Sequence, residues 1–234
     1  MKTLEIRLST LGLFITFISC AAHAQISGKM IAVESANLCV TEGAVQNGGR
    51  LMVDTPKMRA YVNTWASQAI EAKFTYLGPT AEETKLGSGE IRRQFGLKLR
   101  AQNACNLVYA MWRIEPESKV VVSIKRNPEQ TKSSECGNRG YQNIKPQHAA
   151  AVPALRPGDS HTLSAALDGD ELQVFVDNRA VWEGSLGPDA QDLNGPVGIR
   201  SDNMRLAFDL TAGALVGMHP DFKLACKSGP DASD

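Results

Sequence analysis

The sequence predicts an all-β chain folded as a two-sheet antiparallel sandwich, and three observations carry that prediction. First, Leu163, Ala165 and Leu167 alternate with other residues up to an Asp168-Gly169-Asp170 turn. Leu172, Val174 and Val176 then alternate down to Asp177-Asn178, and a further strand runs through Val181 and Trp182. Second, Met204, Leu206, Phe208 and Leu210 follow Gly195–Asn203 at strict period two. Third, the middle of the chain holds three more alternating segments. Apolar alternation bounded by Asp-Gly and Asp-Asn pairs marks half-buried antiparallel strands joined by tight turns.

The N-terminus stands apart from the fold. Lys2 and Arg7 form a basic start, Leu11 to Ala22 is an apolar run, and Ala22-His23-Ala24 places small residues where a signal peptidase reads. The run is too short to span a bilayer comfortably, so residues 1–24 read as an export signal cleaved before Gln25. The alternative is lipoprotein processing at Cys20, where Phe17-Ile18-Ser19-Cys20 loosely resembles a lipobox and would leave a lipid tether. No other segment is apolar enough to predict a transmembrane helix. The expected location is periplasmic or secreted.

Residues 25–234 then form a single domain, long enough to bury a sizeable core. The full chain carries 25 basic and 25 acidic residues. Such balance gives no global pull toward nucleic acid or an anionic membrane, and nucleic acid is not an expected partner. Cys39, Cys105, Cys136 and Cys226 remain after export, an even number that reads as two disulfides in an oxidising compartment. The favoured pairing joins Cys105 to Cys136 across a predicted hairpin and Cys39 to Cys226 across the domain ends. The chain has no Cys-x-x-Cys pair, and His148, His161 and His219 form no close ligand pair. No metal or cofactor is predicted.

Along the chain, residues 25–60 read as short strand, turn, short strand, with Asn47-Gly48-Gly49 as a turn and Leu51-Met52-Val53 opening the next strand. Residues 64–76 carry helix-favouring Ala, Gln and Glu. Ile70, Ala72, Phe74 and Tyr76 nevertheless alternate with polar residues, and period two makes this a strand. A polar loop over 79–89 precedes the three middle strands, over 91–100, 106–114 and 120–124. Residues 127–160 form a long polar loop with four prolines, the kind that is functional or stapled, and Cys136 offers the staple.

The strings around Leu172 to Gly184 and Gly195 to Leu210 resemble the last strands of concanavalin A-like lectin/glucanase sandwiches, nearest to laminin-G-like and keto-disaccharide-hydrolase-like jelly rolls. The likeness covers about fifty residues and carries no catalytic position. It implies a jelly-roll scaffold in which a concave outer sheet face holds glycan.

On the three middle strands, Phe95, Leu97, Leu99, Val108, Ala110, Trp112, Val122 and Ile124 share the faces expected between the sheets. If the strands are neighbours, Gln94, Lys98, Arg100, Tyr109, Met111, Arg113, Ser123 and Lys125 gather on one outer surface. Arg forks onto carboxylate or sulfate, and Tyr offers a ring face and a hydroxyl. Lys98, Arg100, Arg113 and Lys125, with no acid among them, suit an acidic glycan better than a neutral one. The competing reading is a solvated β face kept soluble by its cations.

Catalytic signals are thin. Glycosidases need two carboxyl groups at a set separation, and no Glu-x-Asp-x-x-Glu string occurs. Glu115 and Glu117 flank Pro116 at a hairpin tip. Asp168, Asp170, Asp177 and Asp202 read as turn residues chosen for local backbone hydrogen bonds, with a calcium site as the lesser alternative. His161 reads as a surface histidine, Trp112 as core, and Trp182 as balanced between core and sugar platform. A lyase acting on uronates would need a cation or amide at the carboxylate and a Tyr or His base, types that Gln94, Arg100, Tyr109 and Arg113 include. Three function classes therefore stay open: a non-catalytic glycan-binding or envelope-associated module, a polysaccharide-active enzyme (lyase or glycoside hydrolase), and a structural or protein-interaction domain.

Overall fold

The computed structural model describes residues 29–63, 68–213 and Cys226. The signal segment, the Cys20 tether site and His219 lie outside the described residues, as do residues 64–67 of the ambiguous segment.

Strands appear where period two predicts them. Near the N-terminus are β1 (Met30–Ala32), β2 (Leu38–Glu42), β3 (Gln46–Asn47), β4 (Leu51–Val53) and β5 (Lys57–Val62). The ambiguous segment becomes β6 (Ala69–Pro79), and the middle strands are β7 (Gln94–Asn103), β8 (Asn106–Arg113) and β9 (Lys119–Lys125). The long polar loop contains a short helix α1 (Ser133–Cys136) and two small strands, β10 (Tyr141–Asn143) and β11 (His148–Ala149). The double hairpin is β12 (Ser160–Asp168), β13 (Glu171–Val176) and β14 (Arg179–Ser185). Helix α2 (Pro188–Gln191), β15 (Gly198–Asp202) and β16 (Met204–Gly213) complete the chain.

Among the described residues these strands form two antiparallel sheets. One runs β11-β14-β13-β12-β6-β16-β4-β3, with β1 also on β16, and the other runs β10-β9-β8-β7-β15-β5-β2. The turn between β13 and β14 places both Asp177 and Asn178 at positive φ, 50° and 64°, as a two-residue type I′ turn requires. The polar loop is thus a bridge between layers, for β10 pairs with β9 in one sheet and β11 with β14 in the other.

Between the sheets the alternating apolar residues interdigitate. Phe74 from the first sheet meets Trp112 edge-on at 5.7 Å and Phe95 at 5.0 Å, while Phe208 meets Phe95 at 6.2 Å. Trp112 is fully buried and its indole N–H donates to Ser118 Oγ, which satisfies the one polar atom it takes into the core. Trp182 is also core, so burial resolves its ambiguity against a sugar platform. His161 stacks obliquely on Trp112 and Phe74 at one end of the core, its Nδ1 2.6 Å from Asp177 Oδ2.

Both favoured disulfides are present, Cys39–Cys226 and Cys105–Cys136. The latter closes a span of 31 residues and pins α1 to the turn between β7 and β8.

Candidate cleft on the outer face of the second sheet

Strand register decides which side chains share the outer face of the second sheet. Gln94 lies opposite Arg113, Gly96 opposite Met111 and Lys98 opposite Tyr109, while Tyr109 lies opposite Ser123. On the other side of β7, Asp202 lies opposite Gln94, Arg200 opposite Gly96 and Gly198 opposite Lys98. A cleft of about 470 Å³ lies over these strands, between the β5 and β10 sides of the sheet. Gly96 permits its floor: a Cβ there would sit 2.4 Å from Ala110 O and 2.6 Å from Met111 Sδ.

Of the residues expected on this face, Gln94, Tyr109, Met111, Arg113, Ser123 and Lys125 line the cleft. Lys98 and Arg100 do not. Lys98 is fully buried. Arg100 takes φ 47° where the ladder with β8 shifts register after Leu99. That breaks the alternation. Its guanidinium leaves the face, with Nη1 donating to Ala190 O and Nη2 to Gly169 O.

Asp202 is the largest departure from the sequence reading. It is no local turn acid but a fully buried carboxylate beneath the cleft. Arg59 Nη2 donates to its Oδ1 at 2.6 Å, and Arg200 Nε and Gln94 Nε2 donate to its Oδ2 at 2.9 and 2.6 Å. Burial alone would raise its pKa, but Arg200, Arg59 and the Gln94 amide outweigh it and hold the carboxyl well below its ordinary range. Of the other turn acids, Asp177 accepts from Thr162 N and faces His161, and Asp170 faces Ser185 Oγ. These contacts engage each carboxylate locally.

From this buried node the polar network climbs to the β10 wall. Arg200 Nη1 reaches Tyr141 Oη at 3.3 Å, and its guanidinium lies 5.0 Å from the centroid of the Tyr109 ring. Tyr109 and Tyr141 stack at 6.1 Å and 21°. Lys125 Nζ sits 5.3 Å from the Tyr141 ring and donates to Ala104 O. Desolvation opposes ionisation of Tyr141, but Arg200 and Lys125 outweigh it and lower the phenol below its ordinary value.

Lys57, Arg59, Arg92, Arg113, Lys125 and Arg200 line the cleft against Glu42 and Glu90 at its rim. Arg113 bears the cost of that excess. Its burial, then the nearby Arg92 charge, lower its pKa, and its Nε is buried without a hydrogen-bond partner among the described residues. Gln94 Oε1 is likewise unsatisfied, because its amide is turned to give Nε2 to Asp202.

Arg59, Tyr141, Arg200 and Asp202 were not picked out from the sequence as site residues. A signal was present in Lys57-x-Arg59 and Arg200-x-Asp202, polar pairs at period two on strands whose intervening residues, Met58 and Ser201, are fully buried. Among the described residues no group of three His, Cys, Asp or Glu is placed to hold a metal ion. No helix among them is long and apolar enough to cross a membrane.

No family model matches the chain, and no curated protein matches its sequence. Solved structures do match. The carbohydrate binding module CBM66 from Bacillus subtilis is 12% identical with a TM-score of 0.52, covering 74% of this chain and 91% of that one. A Bacillus subtilis protein of unknown function with a galectin-like fold is 11% identical with a TM-score of 0.49, over 76% of this chain and 89% of that one. The Caenorhabditis elegans galectin LEC-6 is 10% identical with a TM-score of 0.41, over 78% of this chain and 99% of that one. At such identities the likeness concerns architecture. The two antiparallel sheets form a jelly-roll sandwich.

Proposed function

We propose that this is an exported, glycan-binding protein whose cleft takes a carbohydrate bearing carboxylate or sulfate groups. The observation that carries the reading is the cleft's charge: six cations face two rim carboxylates. Asp202 already neutralises part of Arg59 and Arg200, and Glu90 pairs with Arg92, so among the described residues Lys57 and Arg113 are the lining cations best placed to meet a ligand. Arg113 supplies a planar fork suited to an oxyanion. The Tyr109–Tyr141 pair supplies ring faces and hydroxyls beside it. A carbohydrate binding module with the same fold supports the sugar class. Export fits the disulfides, which persist in oxidising compartments.

Binding should favour uronate-rich or sulfated polysaccharide over neutral glucan and weaken as salt rises, since partly exposed charges are screened. Titration of both polysaccharide types at low and high ionic strength tests this. Equal binding to neutral glucan would overturn the acidic preference.

One observation favours a second reading, an eliminating lyase: cations lower the Tyr141 phenol, which suits a proton-abstracting base. In such a reaction the base takes the proton beside the carboxylate, and the electron pair left on carbon forms the C=C bond of an unsaturated uronate as the neighbouring C–O bond breaks. The departing chain's oxygen takes up a proton from water. Release of unsaturated ends from polyuronate, abolished in Tyr141→Phe, would establish it. Binding without product would remove it.

A further inference from the structure

The cleft is covered as well as lined, and the cover is built from two segments that arrive from opposite ends of the same strands. Residues 84–92 form a small hairpin leading into β7, with Leu86 N donating to Glu90 O and Gly89 N to Leu86 O. It enters at the Gln94 and Arg113 end of the sheet. Residues 126–140 leave β9 at Lys125, which lies opposite Leu107 at the other end. The two segments both line the cleft, and they touch: a Cβ on Gly87 would lie 3.2 Å from the Cβ of Asn138. Gly87 is the residue that allows this approach.

Each foot of this arch is anchored by buried groups. Asn203, fully buried, accepts from Thr84 N at 2.8 Å and donates to Thr84 O and Arg92 O at 2.9 and 3.0 Å. It thereby clamps both ends of the hairpin. At the other foot the Cys105–Cys136 disulfide fixes α1. Asn106 Nδ2 donates to Asn127 O and Gln130 O, and Asn127 N donates back to Asn106 Oδ1. Buried, satisfied polar networks of this kind rigidify a segment. A short strand, β10, then sets Tyr141 and Asn143 as the wall beyond β9.

The geometry points to an end-binding site: a pre-formed pocket that takes the terminus of an acidic glycan chain, or a short acidic oligosaccharide, and not the interior of a polymer. The inference rests on the glycan reading above and adds which part of the glycan is held. An arch across the floor leaves no open furrow along which a long chain can lie over all the strands. The cleft volume, about 470 Å³, falls in the range of pockets that hold a single small ligand, about 300–1,000 Å³. A rigid arch also lowers the ordering cost of capture, so a small ligand can be held without extensive contact.

The test uses the native protein and a ladder of linear polyuronate fragments from disaccharide to polymer, with a matched ladder of neutral glucan fragments, followed by calorimetry. For an end-binding pocket, affinity per chain levels off once the pocket is filled, and saturation occurs at one protein per chain end whatever the length. Fragmenting the polymer raises the number of sites in proportion to the new ends. Sites that grow in number with chain length in the intact polymer would overturn the inference while leaving glycan binding standing. End-type behaviour with the neutral ladder alone would uphold the pocket and overturn the acidic preference. No binding to either ladder would overturn both. Two variants open the arch, replacement of residues 86–90 by a short turn and, with less structural cost, Asn138→Gly. Either should convert one protein per chain end toward several per polymer chain, and unchanged end-type stoichiometry in both would overturn the role of the arch.

Discussion

The two faces of β7, β8 and β9 differ in chemistry yet hardly in burial. On the inner face Phe95, Leu97, Val108, Ala110, Trp112 and Val122 are fully buried between the sheets. On the outer face Gln94 is 3% exposed, Tyr109 2% and Lys125 3%, and Lys98 is fully buried. The arch and the neighbouring strands remove these polar groups from water almost as completely as the opposite sheet removes the apolar ones. Burying charge is costly unless it is paired and hydrogen-bonded, and Arg59, Asp202, Arg200 and Gln94 meet that condition together. The comparison divides the outer face into a floor that is structural and a rim, centred on Arg113, that is available to a ligand.

The floor should behave like a core. Removing one partner of a buried charge network leaves the others uncompensated, so Asp202→Ala should cost about 3–5 kcal/mol. Trp112→Ala on the inner face should cost a similar amount, about 3–5 kcal/mol, through the cavity it leaves. Denaturant unfolding of the two variants checks the equivalence, and an Asp202→Ala protein of native stability would break the comparison. The Asp202 pKa is depressed in the folded chain, so its contribution is fully present above the unfolded value, about 3.9. It is then lost as pH falls toward the folded value. Acid unfolding curves should therefore steepen below about pH 4 in the native protein and be shallower in Asp202→Asn.

Next in size is the disulfide at the foot of the arch. Replacing Cys105 and Cys136 by Ala should remove about 3–4 kcal/mol by loop entropy and also weaken glycan binding. The same change at Cys39 and Cys226 should lower stability while leaving the cleft intact. Equal effects on binding from both pairs would show that the arch has no special part.

The rim should separate binding from stability. Arg113→Ala should change unfolding free energy by only about 0.5 kcal/mol. Its loss of a charge-assisted contact should cost about 1.5–3 kcal/mol in affinity for an acidic glycan, read by calorimetry. Arg100→Ala, away from the cleft, should leave affinity unchanged.

The smallest effect is spectroscopic. Burial, outweighing the nearby Arg93 charge, raises the Tyr76 pKa, whereas Arg200 and Lys125 lower that of Tyr141. In an alkaline titration followed by phenolate absorbance, Tyr141→Phe should remove a step at lower pH than the one Tyr76→Phe removes. The reverse order would mean that the cations do not reach the Tyr141 hydroxyl.

By itself the sequence determined most of the strands and their faces, because alternation rests on local information, and it favoured the two disulfide pairings that the structure shows. Period-two alternation separates core from outer face over a few residues, as Val108, Ala110 and Trp112 do against Tyr109, Met111 and Arg113, and turn chemistry marks the breaks at Asp168-Gly169 and Asp177-Asn178. Tertiary structure alone decided how the outer face is built. Asp202 looks like one more turn acid until β15 pairs with both β5 and β7. That pairing brings Arg59, distant in sequence, within 2.6 Å of its carboxylate. Arg100 obeys the alternation on paper, but a single left-handed residue turns its side chain off the face. Tyr141 sits in what reads as a polar loop until β10 docks on β9 and sets its ring against Tyr109. Alternation is a property of neighbouring residues, whereas the charge, depth and cover of a cleft come from which strands pair and which loops meet above them.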